Sequence, residues 1–137
     1  MKVRPFTQDD VPFIFNSWLK SFRTSPFAGV IPNHLYYEVY RTTIEDLIAR
    51  GAEVLVACDS AKETRILGYI CFEPNCLHYL YVKDPYLKLG VSDLLITESG
   101  LLPTAFYTFK YRQVESALPQ GKWVPEIARR KEYNDGH

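Results

Sequence analysis

Three apolar runs, Glu53–Cys58 (EVLVAC), Arg65–Phe72 (RILGYICF) and Cys76–Val82 (CLHYLYV), follow one another with only a short polar turn between neighbours. Each is rich in β-branched or aromatic residues and too short for a buried helix. Strands joined this briefly must run antiparallel, because a parallel crossover needs about a dozen residues or more. The centre of the chain is therefore expected to be an antiparallel meander.

The flanks switch to helical spacing. Lys2–Phe6 reads as a short extended segment, with Pro5 suited to an edge or strand end. Thr7 is placed to cap a helix whose first turn holds Asp9 and Asp10, where the helix dipole favours negative charge. Val11, Ile14, Phe15, Trp18, Leu19 and Phe22 then recur on one face, up to about Arg23. A loop with two prolines and a glycine follows, Thr24–Pro32. Asn33 opens a second helix, which Gly51 stops. After the meander, a helix is expected from Gly90 to about Leu102, where Pro103 bars it, and then a strand over Thr104–Lys110. Ser116–Lys122 reads as a turn, and Trp123–Tyr133 as a short strand or helix ahead of a charged tail. The order β-α-α-β-β-β-α-β predicts an α+β (mixed α/β) fold with a mostly antiparallel central sheet flanked by helices. One domain over residues 1–137 accounts for it.

Charge narrows the partners. Lys plus Arg and Asp plus Glu both number 16, so the formal net charge is zero. A dedicated nucleic-acid binder carries a basic excess, so no nucleic-acid partner is expected. No apolar run approaches a membrane span, and the N-terminus lacks a signal-peptide core, so no membrane partner is expected either. Cys58, Cys71 and Cys76 sit in apolar runs and read as free buried thiols of a cytoplasmic protein. Cys71 and Cys76 with His78 fit no common zinc spacing, so no metal is expected.

The stretch Leu77–Ile96 carries the chemistry. An apolar strand ends at Val82, a basic loop runs to Gly90, and Leu94, Leu95 and Ile96 belong to a helix. The first amides of a helix have no partner inside it and lie at the positive end of its dipole, which suits a phosphate. This stretch resembles the GNAT superfamily of N-acetyltransferases. The family's signature is Arg or Gln, two residues, Gly, one residue, then Gly or Ala, at a strand-to-helix turn. Leu87 stands at the first position, Gly90 at the second and Ser92 at the third. Tyr81, Val82 and Tyr86 resemble the family's apolar lead-in, and the opening VRPFTQDDVPFI is similar to a GNAT first strand and helix. Leu87 lacks the polar side chain usual there and Ser92 exceeds Gly or Ala, but the family cradle is built mainly from backbone amides. The likeness covers roughly the first 110 residues and is that of a short single-domain member. The family's usual second-half helix, with its Asn and Tyr, is not evident in the sequence.

The resemblance implies acetyl-CoA as cosubstrate and an amine as acceptor, either a small molecule or a protein. It implies that the amides of Leu87, Lys88, Leu89, Gly90, Val91 and Ser92 hold the diphosphate, with Lys83 and Lys88 supplying charge. It also implies that the backbone of Leu80, Tyr81 and Val82 pairs with pantetheine where the strands before and after the helix splay apart. Glu73 and His78 are the candidates for general base, the histidine because its ordinary pKa suits proton transfer near neutrality. Tyr107 and Tyr111 are the candidates for the acid that meets the leaving thiolate. Phe27, Ile31 and Tyr36 are candidates for the acceptor wall. A non-catalytic binding or accessory protein on the same fold is the alternative, as is a cofactor-free assembly domain. The acceptor is not named by the sequence, and a homodimer is left open.

Overall fold

The computed structural model describes residues 1–21 and 32–124, apart from the side chains of Asn33 and Tyr36. Phe27, Ile31, the Tyr36 side chain and the segment after residue 124 therefore lie outside the described residues.

One sheet holds six strands in the order of the sequence: β1 (Lys2–Pro5), β2 (Glu53–Cys58), β3 (Ile66–Glu73), β4 (Cys76–Val82), β5 (Phe106–Tyr107) and β6 (Lys122–Trp123). The first four pair antiparallel, as the short turns require. β5 joins β4 in parallel, and β6 joins β5 in parallel. The long segment between β4 and β5 permits that crossover. It contains a 3-10 turn at Asp84–Tyr86 and helix α3 (Val91–Ser99).

Helices α1 (Val11–Lys20) and α2 (Asn33–Ala49) lie between β1 and β2 in sequence. The start of α1 is pinned by Asp10. Its carboxylate accepts a fork of hydrogen bonds from Arg4 at 2.8 and 3.0 Å and another from the Thr7 amide at 2.7 Å. The bond from Arg4 outweighs burial and holds the Asp10 carboxyl below the usual carboxylate range. The helix buries Ile14, Trp18 and Leu19. Trp18 stacks on Tyr79 of β4 at 4.7 Å, and Tyr69 of β3 donates to the Ile14 carbonyl at 3.1 Å. One face of the sheet is thus an aromatic layer under α1. The other face carries α3, which packs on β2, β3 and β4. Gly51 takes a left-handed φ of 97° to end α2, and its amide returns to the Ile48 carbonyl.

Several boundaries differ from the sequence expectation, and three of the differences bear on the site. α3 stops at Ser99 instead of Leu102, because Gly100 adopts a left-handed φ of 74° and the Ser99 hydroxyl turns back onto the Ile96 carbonyl. The strand expected over Thr104–Lys110 is confined to Phe106–Tyr107. A fourth helix, α4 (Arg112–Ala117), stands where the sequence suggested only a turn from Ser116. No helix among the described residues is long and apolar enough to cross a membrane.

Candidate functional site

The site begins with an irregularity in β4. Its register on β3 skips from Cys71↔Tyr79 to Phe72↔Leu77, so His78 is an extra residue in the ladder. A bulge of this kind bends the strand and sharpens its twist. β4 and β5 accordingly pair only at Cys76↔Phe106 and Leu77↔Tyr107. The last bond between them runs from the Thr108 amide to the Leu77 carbonyl, at 3.1 Å. Beyond it the two strands part.

Alternation decides which backbone groups meet the gap. Lys83 donates to Leu67 across the β3 side, and the register places Tyr81 opposite Tyr69 in the same phase. Leu80 and Val82 therefore turn their N–H and C=O groups away from β3 and toward the gap. Of the three residues the family resemblance suggested for pantetheine, Leu80 and Val82 have the required orientation. The Tyr81 backbone is turned to β3. Gly68 sits opposite Val82, and a Cβ added there would lie 2.5 Å from the Tyr81 carbonyl oxygen. The two strands approach this closely because residue 68 has no side chain.

The loop after Val82 arrives at α3 through two left-handed residues, Lys88 (φ 67°) and Gly90 (φ 84°). Among the described residues, no group accepts a hydrogen bond from the amides of Lys88, Leu89, Gly90, Val91 or Ser92. Leu87 and Leu89 are exposed, at 38% and 62%. Leu87 and Ser92 border a cavity of about 280 Å³, which Leu80 and Val82 close from the sheet and Arg112, Gln113 and Ser116 from α4. The loop amides, the open strand edge and the cavity adjoin one another.

A second cavity, of about 430 Å³, lies on the aromatic side. Phe13, Asn16, Ser17, Lys20 and Ser21 line it from α1 and the residue after it. Tyr81, Asp84, Tyr111 and Arg112 complete it. Consecutive residues Tyr81 and Val82 thus face different cavities, and Arg112 borders both. Lys83 holds its ammonium over the Phe13 ring at 4.8 Å, while Lys88 is exposed on the loop.

Glu73 and His78 occupy a separate place. Glu73 sits at the turn between β3 and β4, about 20 Å along the strand from Val82. Its carboxylate is ion-paired with Arg50 and bonded to His78 Nε2 at 2.7 Å. Burial opposes its charge, but the hydrogen bonds from His78 and Arg50 prevail and hold the carboxyl at about 2. His78 is fully buried. Burial lowers its pKa, against the pull of Glu73. With Glu73 ionised, the consistent assignment is a neutral ring that donates from Nε2 to Glu73 and accepts at Nδ1 from the Thr108 hydroxyl, at 2.8 Å. Both nitrogens are then engaged, and no lone pair remains to take a proton from an amine. Neither residue borders the two cavities described. At the two positions expected to offer a base, the structure shows a largely buried hydrogen-bonded network. Among the described residues, no group of three or more His, Cys, Asp or Glu side chains is arranged to hold a metal. Burial pushes the Cys76 thiol up to about 12 and the Cys71 thiol higher still, so both stay protonated.

The two tyrosines separate as well. Tyr111 is buried at the N-terminus of α4 and lines the second cavity. Tyr107 lies on β5 beside Leu77, at the paired end of β4. Burial, then Glu115, raises its pKa above the ordinary phenol value, which makes it a weaker acid. Sequence reading missed Arg112, Gln113 and Ser116, because it missed α4. The signal was a faint one: Tyr111, Val114 and Leu118 lie at helical spacing, but across an element of only six residues.

No protein-family model and no curated protein sequence matches the chain. Solved structures do. The apo form of YjaB from Escherichia coli is 18% identical, with 86% of this chain and 76% of that one covered and a TM-score of 0.52. A probable acetyltransferase is 14% identical over 100% of this chain and 89% of its own, with a TM-score of 0.50. An acetyltransferase of the GNAT family from Staphylococcus aureus Mu50 is 16% identical over 71% of this chain, with a TM-score of 0.46. The chain spans 61% of the length of that last protein. The fold is that of the GNAT acetyltransferases.

Proposed function

We propose that the chain is an N-acyltransferase that moves acetyl from acetyl-CoA to an amine. The observation that carries this reading is the adjacency of three features at one end of β4. These are a strand edge that β5 leaves without a neighbouring strand beyond the bulge, loop amides at 88–92 with no acceptor among the described residues, and a cavity that joins them. An extended amide chain fits the first by strand addition, and a diphosphate fits the second. Arg112 adds positive charge beside both, and Leu87 offers an apolar wall where the family has a polar side chain.

The residues then divide the work. Leu80 and Val82 pair with pantetheine, and the amides of Lys88 to Ser92 hold the diphosphate. An edge amide of β4 also faces the thioester oxygen as it gains charge. The amine enters from the second cavity, where the Asp84 carboxylate can hold it as an ammonium ion. It loses a proton to water, and its nitrogen bonds to the carbonyl carbon. The carbon–sulfur bond breaks, the thiolate takes a proton from the Tyr111 hydroxyl on the same wall, and the excess proton on the new amide nitrogen passes through water to the tyrosinate. Glu73 and His78 act at a distance, by fixing the bulge.

The test is calorimetric. A ligand that binds only the folded state raises the thermal midpoint, by about 2.7 kcal/mol of stability at a hundredfold excess over its Kd. Millimolar acetyl-CoA is expected to do so, and an unmoved midpoint would overturn the reading. The buried, saturated state of Glu73 and His78 favours one second reading, a non-catalytic binding module. Cofactor binding without turnover over a broad amine panel would establish that reading instead.

A further inference from the structure

The gap between β4 and α4 is occupied by part of the protein itself. Gln113 reaches from the first turn of α4 to the open edge of β4. Its Oε1 accepts from the Val82 amide at 2.7 Å, and its Nε2 donates to the Val82 carbonyl at 3.2 Å. A carboxamide that exchanges both bonds with one residue reproduces what an added strand, or an amide of pantetheine, would do at that position. Gln113 also lines the cavity beside the glycine loop.

We infer that Gln113 is a built-in competitor for the strand edge, a side-chain amide that must leave Val82 before an acyl-CoA can pair there. This inference rests on the function proposed above. Its physical basis is the high cost of a buried strand edge without partners. In the empty protein Gln113 satisfies Val82, and it also blunts an edge on which a foreign strand could grow. When the cofactor enters, one amide replaces another, so little hydrogen-bond energy is lost. The released side chain regains its rotamers. The arrangement lowers apparent affinity by the fraction of molecules in which the edge is free. It also selects for ligands with an amide at that register. An acyl thioester with no amide there cannot repay the displacement.

The experiment measures the Kd for coenzyme A by calorimetry in the full chain and in Gln113→Ala and Gln113→Asn. The asparagine keeps a carboxamide but is too short to reach Val82. Melting curves establish that each variant folds. Both variants are expected to bind about five- to tenfold tighter, because the competing state is gone. In the native chain, the side-chain amide resonance of Gln113 is expected to move to a solvent-exposed position at saturation. Binding by the variants but not by the native chain would support the same device in a stronger form. Equal or weaker binding in both variants, with the Gln113 resonance unmoved, would overturn the competitor while leaving cofactor binding intact. Failure of all three proteins to bind would overturn the acyl-CoA reading and this inference with it.

Discussion

The two ends of β4 are built on opposite principles. At the Cys76–His78 end the strand is covered on both sides, by β3 and β5. Its polar groups are matched, from the half-buried Arg50 and Glu73 to the buried His78 and Thr108. At the Leu80–Val82 end the strand has β3 on one side only. It borders two cavities, and a side chain stands in for the missing neighbour. The hinge between these regimes is the bulge at His78. Rigidity at one end permits openness at the other, because a frayed strand could not hold an edge in register for a ligand.

The largest expected effect lies at the closed end. Glu73→Gln keeps an acceptor for His78 but removes the carboxylate charge that pairs with Arg50. Side-chain exposures of 11% and 12% make this a largely shielded pair. Breaking such a pair costs about 3 kcal/mol or more. Urea unfolding is expected to show that loss, while the folded variant keeps its stabilisation by acetyl-CoA. If cofactor stabilisation disappeared in the folded variant, the two ends would be coupled and the contrast would fail.

Gly68→Ala carries the comparison to the open end. The new Cβ would collide with the Tyr81 carbonyl at 2.5 Å and crowd Val82 at 3.1 Å. Backbone is not a flexible obstacle, so the strands must separate, at about 2 kcal/mol. Here cofactor affinity is expected to fall together with stability, because the displaced residues belong to the open edge. A loss of stability with unchanged affinity would place the ligand elsewhere.

The same contrast shows what was legible in the sequence. The strands at Glu53–Cys58 and Cys76–Val82 stand where their apolar runs place them, since short turns leave antiparallel pairing no alternative. The mixed α/β class and the helix after Gly90 were legible for the same local reasons. The open end was not. Whether Leu80 or Tyr81 faces the gap depends on a one-residue slip at His78, and apolar periodicity carries no record of such a slip. The shortness of β5 follows from it, since Thr104–Lys110 has strand composition but loses its partner after Leu77. α4 has only six residues, too few for a periodic signal to outweigh its polar composition. With α4 unseen, Arg112 and Gln113 had no place in the site. The surroundings of His78 were illegible for a different reason. Sequence shows a titratable ring near the right strand, but not that burial, Glu73 and Thr108 have already used both its nitrogens.

The smallest expected effect is a slope, and it isolates the closed end by pH. Burial puts the folded pKa of His78 below its ordinary 6.5. As pH falls, the unfolded chain therefore takes up a proton before the folded chain does. Stability is intact above about pH 6.5 and drains as pH drops below it, by at most about 1.4 kcal/mol per pH unit from this one group. Glu73, lowered from 4.5 to about 2, opens a second window of loss between those values. His34 and His137 are present in any single variant, so the difference between native protein and His78→Asn isolates the buried ring. Melts from pH 8 to pH 5 are expected to show a shallower decline in the variant. The increment given by acetyl-CoA should stay flat over the first window, because no group of the buried network reaches the open end. Parallel declines would mean that the ring titrates freely. A cofactor increment that fell with His78 protonation would bring the histidine back to the reacting end of the strand.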